Sequence, residues 1–280
     1  MLFHIFRLKF YLPLMALVIS GCQTTQNSQI FDNFPVHVNG PVYTGNISPI
    51  TTPINISFNA FGNGKLTNKK KTKTVSSNGS DLIGEDESTE INVFTLETQK
   101  HHRGVLWRMS APVEETNDVI IWNSVRTLTG NFLSSNMESG KGITSNKDLA
   151  LVEKTLRPLF GIEYQSQLKT GDALYQNLDS IFKDLFSNLY GSLGKQLQIK
   201  ITSKVAGTTV YKKKSAILAF WEGKIFLENK LYLIMSAYTI IDIQTGVALQ
   251  TKTNMFTRVG NGFNRKYQKI EEIDQFEFTD

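Results

Sequence analysis

The side chain with the clearest chemical prospect is Cys22, the only cysteine among 280 residues. A lone thiol supports neither a disulfide nor a cysteine metal site within the chain. Other versatile side chains are thinly spread. Of four histidines, His4 lies at the extreme N-terminus, His37 stands alone, and His101-His102 sits beside Lys100 and Arg103 between two strand-like segments. Adjacent strand residues point to opposite faces, so this pair is expected in a surface turn, not as two ligands of one ion. No His-Glu-x-x-His, no cysteine pair and no carboxylate set at metal spacing occurs.

Glycine motifs are equally unpromising for catalysis. Gly191-Ser192-Leu193-Gly194 lacks the spacing of a nucleophile elbow and reads as a helix stop. Phe61-Gly62-Asn63-Gly64-Lys65 ends like a phosphate loop but lacks the first glycine and the hydroxyl residue after Lys65. The same Gly-Asn-Gly recurs at 260–262, as a turn. Glu114-Glu115 and Glu271-Glu272 read as solvated edges, and Asp242 as a hairpin residue that bonds its own backbone. No catalytic residue, metal ligand or cofactor is therefore assigned, and the chain is read as non-enzymatic.

The segment around Cys22 is more specific. Residues 1–13 carry Arg7 and Lys9 and no acid, and an apolar run from Leu14 to Ile19 follows. A bilayer span needs about 20 uncharged apolar residues, so this run is too short. A basic start, a short apolar stretch and small residues at its end make a secretory signal peptide. Ile19-Ser20-Gly21-Cys22 resembles the bacterial lipobox. That resemblance implies cleavage between Gly21 and Cys22, diacylglycerol on the Cys22 sulfur and an N-acyl group such as palmitate on the new amine. Gln23 stands where an Asp would retain the protein at an inner membrane. The expected location is thus the cell envelope, on the outer membrane facing the periplasm where two membranes exist.

Net charge is +5 over the whole chain, and loss of Arg7 and Lys9 with the leader lowers it. A nucleic-acid partner is not expected of an exported chain with so small a surplus. Residues 22–53 read as lipid anchor and tether: Gln23–Gln29 has almost no apolar content, and Pro35, Pro41, Pro49 and Pro53 favour extended backbone.

Residues 54–280 are expected to form a single globular domain. Ile54, Ile56 and Phe58 alternate like a strand. Residues 65–90 are a polar excursion, with Lys69, Lys70, Lys71 and Lys73 followed by Glu85, Asp86, Glu87 and Glu90. This is either a long loop or a long hairpin with a mobile tip. Its lysines, with those at 212–214, either solvate a loop or attract anionic lipid. Strands are expected at 91–98, 104–110, 118–128 and 131–135. Further strands are expected from 197, at 215–223, 231–242 and 247–258, and at 267–278 as a charged edge. The segment 231–241 is apolar on both faces and must be covered on both. Segments 124–135 and 240–251 echo each other around Thr129-Gly130 and Thr245-Gly246, which supports hairpins and an antiparallel sheet.

Two helices are expected. One runs over Ser145–Leu159; the other, over Asp172–Tyr190, places Leu174, Leu178, Ile181, Phe182, Leu185, Phe186, Leu189 and Tyr190 on one side. The fold class is thus α+β: a large curved antiparallel sheet, half-barrel-like, with one long and one shorter helix on its concave side. In outline this resembles periplasmic half-barrel carrier lipoproteins. The resemblance implies an apolar ligand site faced by Phe182, Phe186 and Tyr190. Alternatives are an envelope partner protein, an envelope hydrolase with an unrecognised site, or an assembly factor that pairs through an edge strand.

Replacing the sulfur tests the address. A Cys22→Ser chain is expected to incorporate no labelled palmitate and to leave the membrane fraction, because one or more acyl chains supply the attachment.

Overall fold

The computed structural model describes residues 35, 37–78, 81–112, 119–139, 163–165, 167–175, 178–227, 230–259 and 264–279. The expected signal peptide, Gly21 and Cys22 lie outside them, as does the helix expected over 145–159. Ten strands form one antiparallel sheet: β1 Gly62–Asn78, β2 Asp81–His101, β3 Gly104–Pro112, β4 Val119–Arg126, β5 Phe132–Ser139, β6 Gln198–Tyr211, β7 Lys214–Leu227, β8 Lys230–Asp242, β9 Ala248–Val259 and β10 Asn264–Thr279. Their order is β5-β4-β3-β2-β1-β10-β9-β8-β7-β6. Each half of the chain is a meander of consecutive hairpins, and the β1–β10 ladder joins the halves in antiparallel register from Asn63↔Thr279 to Asn78↔Asn264.

The fold class needs correction. Among the described residues the protein is mostly β, with two short helices, α1 Leu178–Tyr190 and α2 Ser192–Gln196. The expected start at Asp172 fails because the backbone donors there are already engaged. Leu174 N and Tyr175 N donate to Ser203 Oγ of β6, at 3.2 and 3.4 Å. Asp172 O accepts from Val205 N at 2.8 Å. Leu174 is buried as expected, but from an extended segment. The helix stops at Gly191, as expected, but Gly194, the second expected stop, lies inside α2.

The polar excursion is a hairpin of two long strands, of 17 and 21 residues. The terminal segment 264–279 is not an edge; it lies between β1 and β9. One cause explains both: β1 is a basic strand between two acidic ones. Lys71 meets Glu87 at 2.6 Å, Lys73 meets Glu85 at 2.6 Å, and Lys70 meets Glu90 at 3.5 Å. Across the other edge Lys70 and Lys71 register with Glu272 and Glu271. Opposite charges across a ladder favour pairing. Glu272 is accordingly buried, only 2% exposed, where a solvated edge was expected.

Residues 37–50 climb the outer face of the C-terminal meander. Val38 packs on Ile234 beside Phe256 and Leu231, Asn254 donates to Asn39 O at 2.8 Å, and the Tyr43 ring meets Tyr238 edge-on at 5.5 Å. Ser48 and Thr208 then form an antiparallel bridge. This segment supplies the second cover that the apolar β8 demands, so packing begins before residue 54.

Residues 54–60 alternate in burial but make no strand. Their donors go instead to two turns and to the 163–175 segment. Ile54 N bonds Leu168 O, Ser57 N bonds Ile243 O, Phe58 N bonds Leu128 O, and Asn59 N bonds Gln244 O. The Phe58 ring sits between Gly130 of the β4–β5 turn and Gly246 of the β8–β9 turn, and a Cβ on either would collide with it. Both glycines have positive φ, 90° and 67°. The two turns of the sequence echo therefore close on one ring. β4 and β8 are six places apart in the sheet, ~29 Å if it were flat. A single side chain bridges them only because the sheet curls strongly, and it stays open: among the described residues β5 and β6 do not pair.

Phe58 is 4% exposed and touches both halves of the sheet. Phe58→Ala is expected to lower stability by about 3–5 kcal/mol, measured by denaturant unfolding of the two variants side by side.

Candidate functional site

The helix expected to face a ligand does cover a cavity, but a small one. The space beneath α1 is about 30 Å³ and is lined by Phe182, Ile201, Trp221, Met235, Ala237, Thr239 and Thr251. Asp179 fixes the start of α1 to the sheet: its Oδ1 accepts from Ile201 N at 2.6 Å. Thr239 and Thr251 hydroxyls share a hydrogen bond at 3.1 Å, and the buried Trp221 Nε1–H has no protein acceptor. Such a space suits a water or two. An acyl chain needs several hundred Å³.

The three residues expected to face a ligand do not act together. Phe182 lines the cavity. Phe186 instead packs with Leu197, Ile225 and Leu227 in a separate apolar cluster, its ring centroid 6.5 Å from that of Phe182. The Tyr190 side chain lies outside the described residues.

A second, open groove of about 480 Å³ lies between residues 46–54 and the β6–β7 turn, lined by Asn46, Ser48, Ile54, Thr208, Thr209, Val210, Ser215 and Ile243. Val210 is 72% exposed there. Its polar groups are largely spoken for: Thr209 Oγ1 bonds Asn46 O and Tyr43 Oη, each at 2.7 Å.

The turns that close on Phe58 enclose a buried polar cluster that sequence reasoning missed. Arg126 is 5% exposed and donates to Gly130 O at 2.8 Å. Tyr164 and Tyr175 stack at 4.8 Å, and Tyr175 lies 4.8 Å from Trp221. Tyr164 Oη donates to Gly246 O at 3.2 Å. Burial holds both phenols above their usual range, Tyr175 the more strongly, and draws the Arg126 guanidinium down against the nearby tyrosines. Both tyrosines stay protonated beside a cation, an arrangement that fastens turns together. No sequence signal marks it, because Arg126 reads as one more strand residue.

Other candidates resolve simply. Asp242 is a turn residue as expected, accepting from Gln244 N at 3.0 Å and Thr245 Oγ1 at 2.9 Å. Gly62 opens β1 against β2, and Asn63–Lys65 are paired on both sides, so the segment is no phosphate cradle. His101 and His102 do lie at a turn, but their rings are 4.1 Å apart and not on opposite faces. A turn is not bound by strand alternation. His101 Nδ1 is occupied by Arg103 N at 3.2 Å. Lys70, Lys71 and Lys73 are strand residues, each within 2.6–3.5 Å of a carboxylate. Lys212 and Lys213 form the β6–β7 turn, both at positive φ. Lys212 holds the Glu277 carboxyl below its usual range.

No family model matches the chain, and no curated protein matches it. Three solved structures share some outline. A candidate exported protein with a YmcC-like fold from Bacteroides fragilis has 11% identity and a TM-score of 0.30, over 80% of this chain and 99% of that one. The attachment invasion locus protein Ail of Yersinia pestis has 2% identity and a TM-score of 0.20, over 78% and 100%. The ywiB protein of Bacillus subtilis has 9% identity and a TM-score of 0.12, over 77% and 94%. Likeness this low assigns no family and no function.

Alkali is expected to probe the outer cover. Burial pushes the Tyr238 phenol up to about 12, so the folded state loses that proton later than the unfolded chain. The stabilisation it brings is intact below pH 10 and is lost as pH rises toward 12. Lys71 and Lys73, raised by Glu87 and Glu85, add to the same loss. Tyr238→Phe should flatten part of the alkaline fall in melting temperature, read by circular dichroism across that range.

Proposed function

We propose that the protein is a lipid-anchored envelope protein that works by binding a partner protein, without catalysis. The observation that carries this reading is Ile19-Ser20-Gly21-Cys22 behind a short basic and apolar leader. The fold supplies a fitting geometry. The described chain starts on the outer face at one end of the sheet, where Val38 packs on Ile234 near the start of β8. Only 13 residues, 22–34, separate the proposed lipid from the first described residue. Strands of 16–17 residues reach ~55 Å. A body tethered this way keeps one end near the leaflet and presents the rest at a distance. The end closed by Phe58 is the far one.

A partner is favoured over an apolar cargo by the size of the space beneath α1, about 30 Å³. Leu178, Leu185, Ile201 and Trp221 there pack in one cluster, as in an ordinary core.

The two readings separate in one preparation. Native mass spectrometry of the lipidated protein is expected to show no stoichiometric ligand beyond the covalent lipid, while crosslinking in intact cells yields a discrete protein adduct. A non-covalent lipid that travels with the protein and is lost on Phe182→Asp, with folding retained, would sink the partner reading in favour of a carrier.

A further inference from the structure

The sheet has a step in it. β1 flanks β2 from Gly62↔Thr98 to Asn78↔Asp81, but β3 flanks β2 only from Thr95↔Ser110 to His101↔Gly104. β3 ends at Pro112, which cannot donate to a ladder. From Asp81 to Phe94, β2 therefore has a strand on one side and, among the described residues, none on the other. This shoulder is open: residues 85–89 are exposed, and Ile91 is 63% exposed.

The terminal edge at β6 is treated differently. Ile201 N bonds Asp179 Oδ1 at 2.6 Å, Val205 N bonds Asp172 O at 2.8 Å, and Thr208 N bonds Ser48 O at 2.8 Å. At β5, Phe132 N bonds Glu163 Oε1 at 3.1 Å. The outer strands are thus capped by other segments, a common defence against unwanted pairing, while the shoulder of β2 has no such cap among the described residues.

We propose that the shoulder of β2, over residues 84–92, is a strand-addition site for an extended, lysine- or arginine-bearing segment of a partner protein; this rests on the partner-binding reading above. The charge pattern selects that occupant. Residues 81–94 carry Asp81, Glu85, Asp86, Glu87 and Glu90 and no base. The strand already on the other side, β1, shows what this edge accepts: Lys70, Lys71 and Lys73 reach Glu90, Glu87 and Glu85. Each carboxylate has lone pairs for a second donor, and Asp86 makes no ion pair among the described residues. A second copy fits poorly. Antiparallel self-pairing about Ser88 sets Asp86 against Glu90, and a shift by one sets Glu85 against Glu90. Like charges directly opposite destabilise a pair. Main-chain bonds would supply affinity and alternate side chains the selectivity.

The test uses the full lipidated chain in detergent and hydrogen–deuterium exchange. The probe is a peptide of the β1 sequence Thr67–Ser76; its control has the four lysines replaced by glutamate. The basic peptide is expected to slow exchange of amides 84–92 about threefold, the factor 1 + [L]/Kd reached at twice the dissociation constant. Added salt should weaken the effect, and Asp86→Lys with Ile91→Lys should abolish it while β8 exchange stays unchanged. No slowing at millimolar peptide, or equal slowing by both peptides, overturns the proposal. So does slowing that follows protein concentration without peptide, which would mean a second copy. A negative result here beside a positive crosslink in cells sinks the shoulder alone and leaves partner binding standing.

Discussion

The pairing of β1 with β10 is the constraint on which everything else depends. Each half of the chain is a five-stranded meander that local hairpins can build alone. Only the β1–β10 ladder makes one sheet of them, and it joins residues about 200 apart, such as Asn68 and Glu272. Closing so long a loop costs entropy before any contact rewards it. The ladder's length and its charges offset that cost. Lys65, Lys70 and Lys71 stand across from Glu277, Glu272 and Glu271. On the inner face the pattern is polar as well as charged, with Asn68 donating to both Glu272 and Asp274. Buried pairs of this kind add little net stability once desolvation is counted. Their value here is register: a slip of one residue would turn Lys70, Glu272 and Asp274 out of their partners' reach and put Leu66 and Phe276 on the wrong face.

Curvature follows from the same join. Once the two meanders are one sheet, the right-handed twist of ten strands carries the β4–β5 and β8–β9 turns toward each other. Phe58 and the Tyr164–Tyr175 stack fill the gap between them, and Arg126 ties one turn to its own strand through Gly130 O. The approach of residues 54–61 is therefore not a strand added to an edge. It is a cord across the top of the curl, and its alternation of buried and exposed side chains has the same period as a strand for a different reason.

Much of this was legible in the sequence, and the failures share a cause. Hairpins with local partners, such as β4–β5 and β8–β9, showed in alternation and in Thr-Gly turns. The two-sided apolarity of 231–241 correctly demanded a second cover, although the cover itself, residues 37–50, read as tether because it is polar and proline-rich. Lys70 and Glu272 looked solvated and 267–278 looked like an edge, since each charged strand owes its burial to acids or bases on other strands. The same blindness hid Arg126. Leu174 fitted a helical repeat, but Ser203 had taken its backbone donor, a contact no local pattern announces. The Phe182–Phe186 pair was placed on the right helix and on two different clusters, because a helical stripe wide enough to cover a sheet touches more than one pocket.

The physical economy of the interior bears on where activity can reside. The apolar side chains of both meanders meet in one continuous cluster from Phe94 and Trp122 to Ile241, and what space remains beneath α1 is the size of trapped water. Lifting α1 to widen this space would release its first turn, held to β6 through Asp179, and expose the buried Leu178 and Leu185. Moving the helix would thus break a charge-assisted hydrogen bond and expose two large side chains, several kcal/mol in sum. The surface asks for no such outlay. Its long strands already present backbone and charge in fixed register, and a ligand that meets them need displace nothing but solvent.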